Sequence, residues 1–369
     1  MDIMKDRRRS NLWIINADGT NHRPLTSGNN NNGSPRWSPD GSKLLYVSNE
    51  DGASQLYMRW MDTGQTARIT NLTSSPSGIT WSPDGKWIAL TMFVPASPKS
   101  FASLPAKPSG AEWADPPNYI DKLQYRADGA GYLKDGYRHI FVLSAEGGTP
   151  RQLTTGNFNH GGTPSWTPDS KALIFSANRH ENWEYDPVNS EIYQIFIAGG
   201  TIKALTDRQG PDSNPTVSPD GKKIAYTGYD DRLQGYQLSL LYVMNRDGSA
   251  SKMISGNLDR RVGNLNWGSD SKGLFFQYDD KGNTKVAYIS LDGTIENITG
   301  DVGGLSTGRP YSGGDFSVAT NGRIAFTHSR PDHPADVAVV SKGGQAKRLT
   351  ELNADLFDHK ELAKVEEIL

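Results

Sequence analysis

The sequence predicts an all-β fold: a seven-bladed β-propeller with six full four-stranded blades and the outer hairpin of an incomplete first blade. Three observations predict it. A tryptophan-led turn motif keeps returning, a second hairpin with its own closing pair follows each copy, and the period of the two together matches one propeller blade.

The turn motif reads Arg36-Trp37-Ser38-Pro39-Asp40-Gly41, then Thr80-Trp81-Ser82-Pro83-Asp84-Gly85. It returns as Ser165-Trp166-Thr167-Pro168-Asp169-Ser170 and as Thr216-Val217-Ser218-Pro219-Asp220-Gly221. A weaker copy is Asn266-Trp267-Gly268-Ser269-Asp270-Ser271, and a degenerate one joins Phe316-Ser317 to Asn321-Gly322. Ser-Pro-Asp-Gly suits a type I turn closed by a left-handed residue: Pro presets φ, Asp tolerates the third position, and Gly takes the fourth. Ser170 and Ser271 replace that glycine, at a strain of roughly 1 kcal/mol each. After the turn, Leu44-Leu45-Tyr46-Val47, Trp87-Ile88-Ala89-Leu90 and Leu173-Ile174-Phe175 read as strands buried on both faces.

The second hairpin turns at Asp18-Gly19, Thr63-Gly64, Gly147-Gly148, Gly199-Gly200, Asp247-Gly248, Asp292-Gly293 and Gly343-Gly344. It closes on Leu25-Thr26, Ile69-Thr70, Leu153-Thr154, Leu205-Thr206, Ile254-Ser255, Ile298-Thr299 and Leu349-Thr350. Two hairpins make a four-stranded antiparallel unit. The motif anchors fall at 37, 81, 166, 217, 267 and 316, so the intervals are 44, 85, 51, 50 and 49. A β-sandwich has no reason to repeat its turn chemistry at such a period.

Two irregularities stand out. The interval of 85 exceeds the others and implies an insertion of ~37 residues, about 94–138, in the second full blade. It opens Pro-rich and becomes aromatic and charged, which makes Tyr119, Tyr125, Arg126 and Tyr132 candidate substrate contacts. The first outer hairpin, Asn11 to Thr26, lacks an inner partner, so the chain is expected to enter halfway through a blade. The propeller is assigned to residues 1–350 and a linker to 351–369.

Among the repeated residues, Trp37, Trp81, Trp166 and Trp267 read as inter-blade core. Asp40, Asp84, Asp169, Asp220 and Asp270 read as turn residues that bind nearby backbone amides. No residue is assigned to catalysis. Gly304-Leu305-Ser306-Thr307-Gly308 has the spelling of a nucleophile elbow, but Gly303 before it and Arg309-Pro310 after it deny it the strand and helix such an elbow needs. No metal site is assigned and no cofactor is expected: the seven histidines lack ligand spacing. His180-Glu181 with Glu184 and Asp186 reads as a solvated loop, and Asp279 to Asn283 as a hairpin turn without the spaced carboxylates of a calcium loop.

A net charge of −2 gives no pull toward nucleic acid or an anionic membrane surface. The absence of cysteine removes disulfides, zinc-thiolate sites and a Cys nucleophile. No apolar run has transmembrane length, and the basic start MDIMKDRRRS lacks the apolar stretch of a signal peptide. A cytoplasmic and a periplasmic location both remain open.

The Trp-Ser-Pro-Asp-Gly repeats resemble the propeller of the prolyl oligopeptidase family of serine peptidases, and also that of TolB. Three stretches favour the peptidases, in the manner of acylaminoacyl-peptidase and dipeptidyl-peptidase members: Asp6 to Trp13, Tyr125 to Tyr132 with Arg138 to Phe141, and Leu349 to Leu369. The resemblance implies a non-catalytic, substrate-gating propeller of a serine exo- or oligopeptidase. Its partners would be a C-terminal α/β-hydrolase domain bearing Ser, Asp and His, and peptide substrates. The alternative is a stand-alone TolB-like interaction scaffold. A propeller enzyme with its own central metal site would need converging carboxylates and histidines, which the sequence does not offer.

Overall fold

The structure, a computed structural model, describes residues 2–96, 105–114, 119–304 and 313–361, with 363, 365, 366 and 368. The outer hairpin comes first, β1 (Trp13–Ile14) pairing antiparallel with β2 (Arg23–Pro24). The first full blade holds β3 (Asn32–Trp37), β4 (Lys43–Ser48), β5 (Gln55–Trp60) and β6 (Thr66–Arg68). The second holds β7 (Ser77–Trp81) and β8 (Trp87–Pro95), then a short separate hairpin of β9 (Arg126–Ala127) and β10 (Gly131–Tyr132), then β11 (Gly136–Ser144) and β12 (Arg151–Gln152). The third is β13 (Ser165–Trp166), β14 (Ala172–Ala177), β15 (Glu191–Phe196) and β16 (Lys203–Ala204). The fourth is β17 (Asp212–Val217), β18 (Lys223–Gly228), β19 (Leu240–Asn245) and β20 (Lys252–Met253). The fifth is β21 (Val262–Trp267), β22 (Gly273–Asp280), β23 (Asn283–Ser290) and β24 (Ile295–Val302). The sixth is β25 (Phe316–Val318), β26 (Arg323–Arg330), β27 (His333–Ser341) and β28 (Lys347–Arg348).

Each blade is an antiparallel meander in chain order, and a Val302–His328 pairing joins the fifth and sixth into one sheet. The insertion is shorter than the sequence reading of 94–138. Val94, Tyr137 and Arg138 pair inside the long strands β8 and β11, whose register runs unbroken out to Pro95 and Gly136. The reason is the continuing apolar face of Met92 and Val94, which packs on the core between the first and second blades. After β28 a single helical turn follows, α1 (Ala354–Phe357).

In the first five blades the second strand is buried on both faces over most of its length, because a sheet lies on either side of it, whereas β26 of the sixth alternates. Leu44, Leu45 and Tyr46 are all buried, as are Ile88, Ala89 and Leu90. The core is therefore a series of layers between blades. Leu45, Leu56 and Met58 of the first blade interleave with Ile79, Trp81 and Leu90 of the second, and Ile174 and Ile192 of the third with Ile224 and Tyr226 of the fourth.

The motif tryptophans carry these layers across. The indole N–H of Trp81 donates to the Arg36 carbonyl at 3.1 Å, that of Trp166 to Thr80 at 3.4 Å, and that of Trp267 to Thr216 at 3.0 Å. Each acceptor is the residue just before the motif's aromatic position one blade back. Trp37 differs from the sequence reading as core: it is 49% exposed, against 8% for Trp81 and 7% for Trp166. It faces the β1–β2 hairpin, beside which no further strand lies among the described residues.

The motif turns also meet. Ser38 Oγ donates to Asp40 Oδ1 at 2.6 Å, and Asp40 accepts the Ser42 amide at 3.1 Å. Those bonds, the Ser38 hydroxyl foremost, lower the Asp40 carboxyl to about 2. Ser170 and Ser271 take the left-handed conformation, at φ 58° and 59°. The strain is offset between blades: Ser170 Oγ accepts the Asp84 amide at 3.0 Å, and Ser271 Oγ the Asp220 amide at 3.1 Å. Gly85 and Gly221 hold the equivalent places, and a Cβ there would rest in ordinary contact on Pro39 and Pro168.

A second polar tie lies at the other end of the first, third and sixth blades. Thr70 Oγ1 accepts the Leu56 amide and donates to Gln55; Thr206 does the same with Ile192 and Glu191, and Thr350 with Val337 and Asp336. The ring closes without a shared sheet. Lys347 Nζ donates to the Asp18 carbonyl at 2.9 Å, and Arg59 reaches the Leu25 carbonyl at 3.4 Å, so the outer hairpin sits between the sixth and first blades.

Trp81→Ala and Trp166→Ala are each expected to lower unfolding free energy by about 3–5 kcal/mol, from a large cavity and a stranded carbonyl. Trp37→Ala is expected to cost less than about 1 kcal/mol, as exposed substitutions do. Urea denaturation of the three variants measures this, and equal losses would refute the inter-blade role.

Candidate functional site

An antiparallel meander sends alternate connections to opposite ends. The motif turns and the Asp-Gly or Gly-Gly turns therefore share one face of the molecule. The loops between second and third strands share the other, with the blade-to-blade connections. In the fifth blade that loop is a tight turn at Asp280 to Asn283, with positive φ at Lys281 and Gly282, as the sequence reading of Asp279–Asn283 expects. In the second, third and fourth blades it is long: 96–135, 178–190 and 229–239.

The four candidate contacts lie in the first of these. Tyr125 and Tyr132 face each other across the β9–β10 hairpin, ring centroids 6.3 Å apart, and Arg126 pairs with Tyr132 in its register. Tyr125 and Tyr132 are exposed, as is Tyr119. Pro98, Pro116, Pro117 and the Leu305–Gly308 part of the elbow-like sequence lie outside the described residues.

The insertion is tied to the third blade's loop. Lys122 pairs with Asp135 at 3.1 Å and stands 4.7 Å over the Tyr137 ring, which packs edge-on to Trp183. The Leu123 amide donates to Glu184 Oε2 at 3.3 Å. Asp186 accepts from Gln209 Nε2 at 2.8 Å, and His180 Nε2 lies 3.7 Å from Glu191 Oε1. Within the stretch read as a solvated loop, His180, Glu184 and Asp186 are thus tied to neighbouring segments, while Glu181 is exposed. The cause is tertiary: the insertion and the next blade's connection press on it from both sides.

Beneath the loop lies a buried polar layer that the sequence reading did not single out. Glu191 is 2% exposed, and burial raises its carboxyl to about 7. Arg208 pairs with buried Asp212 and stands 4.1 Å over the Tyr242 ring. His160, fully buried, bonds the Arg138 carbonyl through Nδ1 and Arg179 through Nε2, and burial lowers it to about 3. One signal in the sequence marks part of this layer. A polar residue recurs fifteen positions before the closing threonine, as Asn11–Thr26, Gln55–Thr70, His139–Thr154 and Glu191–Thr206.

Beside it the 229–239 loop walls an open cleft of about 660 Å³, lined by Tyr229, Arg232, Tyr236, Tyr242, Asp259 and Arg260 among others. Among the described residues, no three His, Asp or Glu side chains converge as a metal would require. The face offers rings, amides and mixed charge, which suit binding.

Comparison with known proteins places this architecture. Residues 3–101 match the model of the TolB beta propeller domain, and residues 129–232 that of the dipeptidyl peptidase IV N-terminal region. Over these two segments the chain is a β-propeller similar to the TolB beta propeller domain and to the dipeptidyl peptidase IV N-terminal region. It is 26% identical over 380 residues to the uncharacterized peptidase YuxL of Bacillus subtilis, a match covering 99% of this chain and 56% of that one. It is 25% identical over 378 residues to dipeptidyl-peptidase 5 of Porphyromonas gingivalis, covering 97% and 52%. The propeller chain therefore spans about half the length of these curated relatives. Acylaminoacyl peptidase from Pyrococcus horikoshii shares the fold with a TM-score of 0.71 at 15% identity, over 98% of this chain and 51% of that one.

Glu191 makes a pH prediction. Its folded pKa of about 7 lies above the ordinary 4.5, so its contribution to stability is full below pH 4.5 and is lost as pH rises through 7. The loss is on the order of 3 kcal/mol for a shift of this size. Glu191→Gln, which copies the protonated form, is expected to remove that part of the decline. Parallel wild-type and variant urea curves between pH 4.5 and 8 would contradict the assignment.

Proposed function

We propose that this chain is the non-catalytic, substrate-gating propeller of a serine exo- or oligopeptidase, working with an α/β-hydrolase domain that carries Ser, Asp and His. One observation carries the reading: relatives matched over 97–99% of this chain are named as peptidases and are about twice its length. The loop face supports it chemically. Its long loops crowd the second to fourth blades, and its exposed Tyr125 and Tyr132 stand on a hairpin fixed at its base by Lys122, Asp135 and Tyr137. Peptide backbones are recognised by such rings and amide-rich edges. Gating here means steric selection, in which a rigid ring of blades admits extended peptides and rejects folded chains.

A fluorophosphonate probe tests the pairing with a serine hydrolase. In cells making this propeller, an antibody to it is expected to recover a probe-labelled polypeptide or complex, whereas the 369-residue chain alone takes no label. Recovery of the propeller from those cells without any labelled serine would refute the proposal. That result would favour the second reading, a TolB-like interaction scaffold, which the TolB match of residues 3–101 supports. In the assembled peptidase, Tyr125→Ala with Tyr132→Ala is expected to raise KM for peptides severalfold with kcat little changed. An unaltered KM would remove both tyrosines from the substrate path.

A further inference from the structure

Four cations stand over aromatic rings among the described residues, and three of them are answered by an acid. Lys122 lies over Tyr137 and pairs with Asp135; Lys342 lies 4.0 Å over Tyr288 and pairs with Glu296 at 3.0 Å. Arg208 lies over Tyr242, which stacks on Tyr226 at 5.5 Å, and pairs with Asp212. Arg179 is the exception. It stands 4.8 Å over the Phe158 ring and 5.9 Å from that of Tyr193, which stacks on Phe175 at 5.7 Å. No carboxylate lies within ion-pair distance of it among the described residues. Glu184, Asp186 and Glu191 are committed elsewhere, to the Leu123 amide, Gln209 and Thr206.

The surroundings hold this guanidinium in place without cancelling its charge. Arg179 Nη1 bonds His160 Nε2 at 2.6 Å and reaches the Thr155 carbonyl at 3.4 Å. His160 Nδ1 lies 3.1 Å from the Arg138 carbonyl, so Nδ1 carries the proton and Nε2 accepts. The imidazole is therefore neutral. Burial, the largest influence at both arginines, lowers Arg179, whereas at Arg208 it is outweighed by Asp212 and the value rises. Arg179 Nε and Nη2 make no hydrogen bond among the described residues, which leaves a two-donor edge. A second cation shares the gap. Ile140 and Val142 of β11 pack in one layer with Leu173, Phe175 and Ala177 of β14, and Arg138 shares the face of Ile140, two residues nearer the loops. Its Nη1 donates to Ser77 Oγ at 3.1 Å, and it too lacks an ion pair among the described residues.

We propose that Arg179, with Arg138 across the gap, binds a peptide carboxylate at the loop-face end of the layer between the second and third blades. The Nε and Nη2 edge fits both oxygens of a carboxylate, and such pairing strengthens where rings exclude water. Arg208 shows the finished form. There the chain itself supplies the acid, Asp212, above a ring pair equivalent to Phe175 and Tyr193: both pairs are register partners of a second and a third strand. That the carboxylate arrives on a peptide rests on the peptidase reading above; that an acid belongs at Arg179 does not. A terminal carboxylate and a glutamate side chain share this chemistry, and the test separates them.

The test uses the full chain with isotope-labelled arginine, whose Nε–H resonances are assigned from Arg138→Gln and Arg179→Gln. Three probes are titrated: acetyl-trialanine with a free terminal carboxylate, its amide, and the amide of acetyl-Ala-Glu-Ala. At least one carboxylate peptide is expected to move the Arg179 resonance, and the neutral amide to leave it in place. The peptide that moves it at the lower concentration names the source. Arg179→Gln, read at Arg138, is expected to weaken that binding about tenfold, the loss of one charge-assisted pair, and Arg138→Gln, read at Arg179, severalfold. Phe158→Glu offers Arg179 an internal acid and is expected to prevent binding with the fold intact by circular dichroism. An Arg179 resonance indifferent to both carboxylate peptides would overturn the proposal, as would equal movement by the neutral amide or undiminished binding to Arg179→Gln. Inorganic phosphate binding more tightly than either carboxylate would overturn it too, by giving the site to phosphoryl groups. All of these readouts are independent of the serine-probe recovery, so the site can fail while the peptidase pairing stands.

Discussion

The interaction on which the rest depends is one indole N–H reaching back to a carbonyl of the blade before. A tryptophan buried between two sheets must satisfy its only donor, and the nearest acceptor across the layer is the first strand of the neighbour. The bond fixes how far one sheet can slide over the next. Three blades make it, through Trp81, Trp166 and Trp267. The fourth blade has Val217 at that place and holds its neighbour by another route, the Val217 amide donating to Ser165 Oγ at 3.1 Å. With the sheets clamped, the turns of adjacent motifs come into contact and the loops at the far end converge.

The two faces then diverge in character. On the turn face the motif carboxylates are answered within a few residues, as in the Ser38–Asp40–Ser42 set, whose bonds hold the Asp40 carboxyl down at about 2. Such groups have little left to offer a ligand. On the loop face the answering partners come from other blades: Glu184 takes an amide of the insertion, and Asp186 an amide side chain of the next connection. Buried acids and bases collect below, where burial raises the Glu191 carboxyl and, despite its Arg208 partner, the Asp212 carboxyl as well. A binding surface resting on such a layer is stiff, which suits selection by shape.

Much of the fold was legible because it is written in local chemistry. Pro at the second turn position, a left-handed fourth residue and a two-sided apolar strand act over fewer than ten residues, and they recur. The threonine closing each outer strand was legible for the same reason, although its polar partner fifteen residues earlier was not seen as a pair. The candidate site was less legible. His180, Glu184 and Asp186 look solvated when read alone, and their partners lie in segments far away in sequence. Ser170 reads as strain at a glycine site, because the Asp84 amide that it accepts is 86 residues away.

By itself the sequence determined the repeat, the strand count of each blade and the place of the insertion, since turn chemistry and apolar periodicity are properties of short segments. Only the tertiary structure decided which copies of an identical motif are core and which are surface. Trp37 and Trp81 sit in the same six-residue pattern, yet one is open and the other buried. Burial depends on what stands on the other side of the layer, and a motif carries no information about its neighbour.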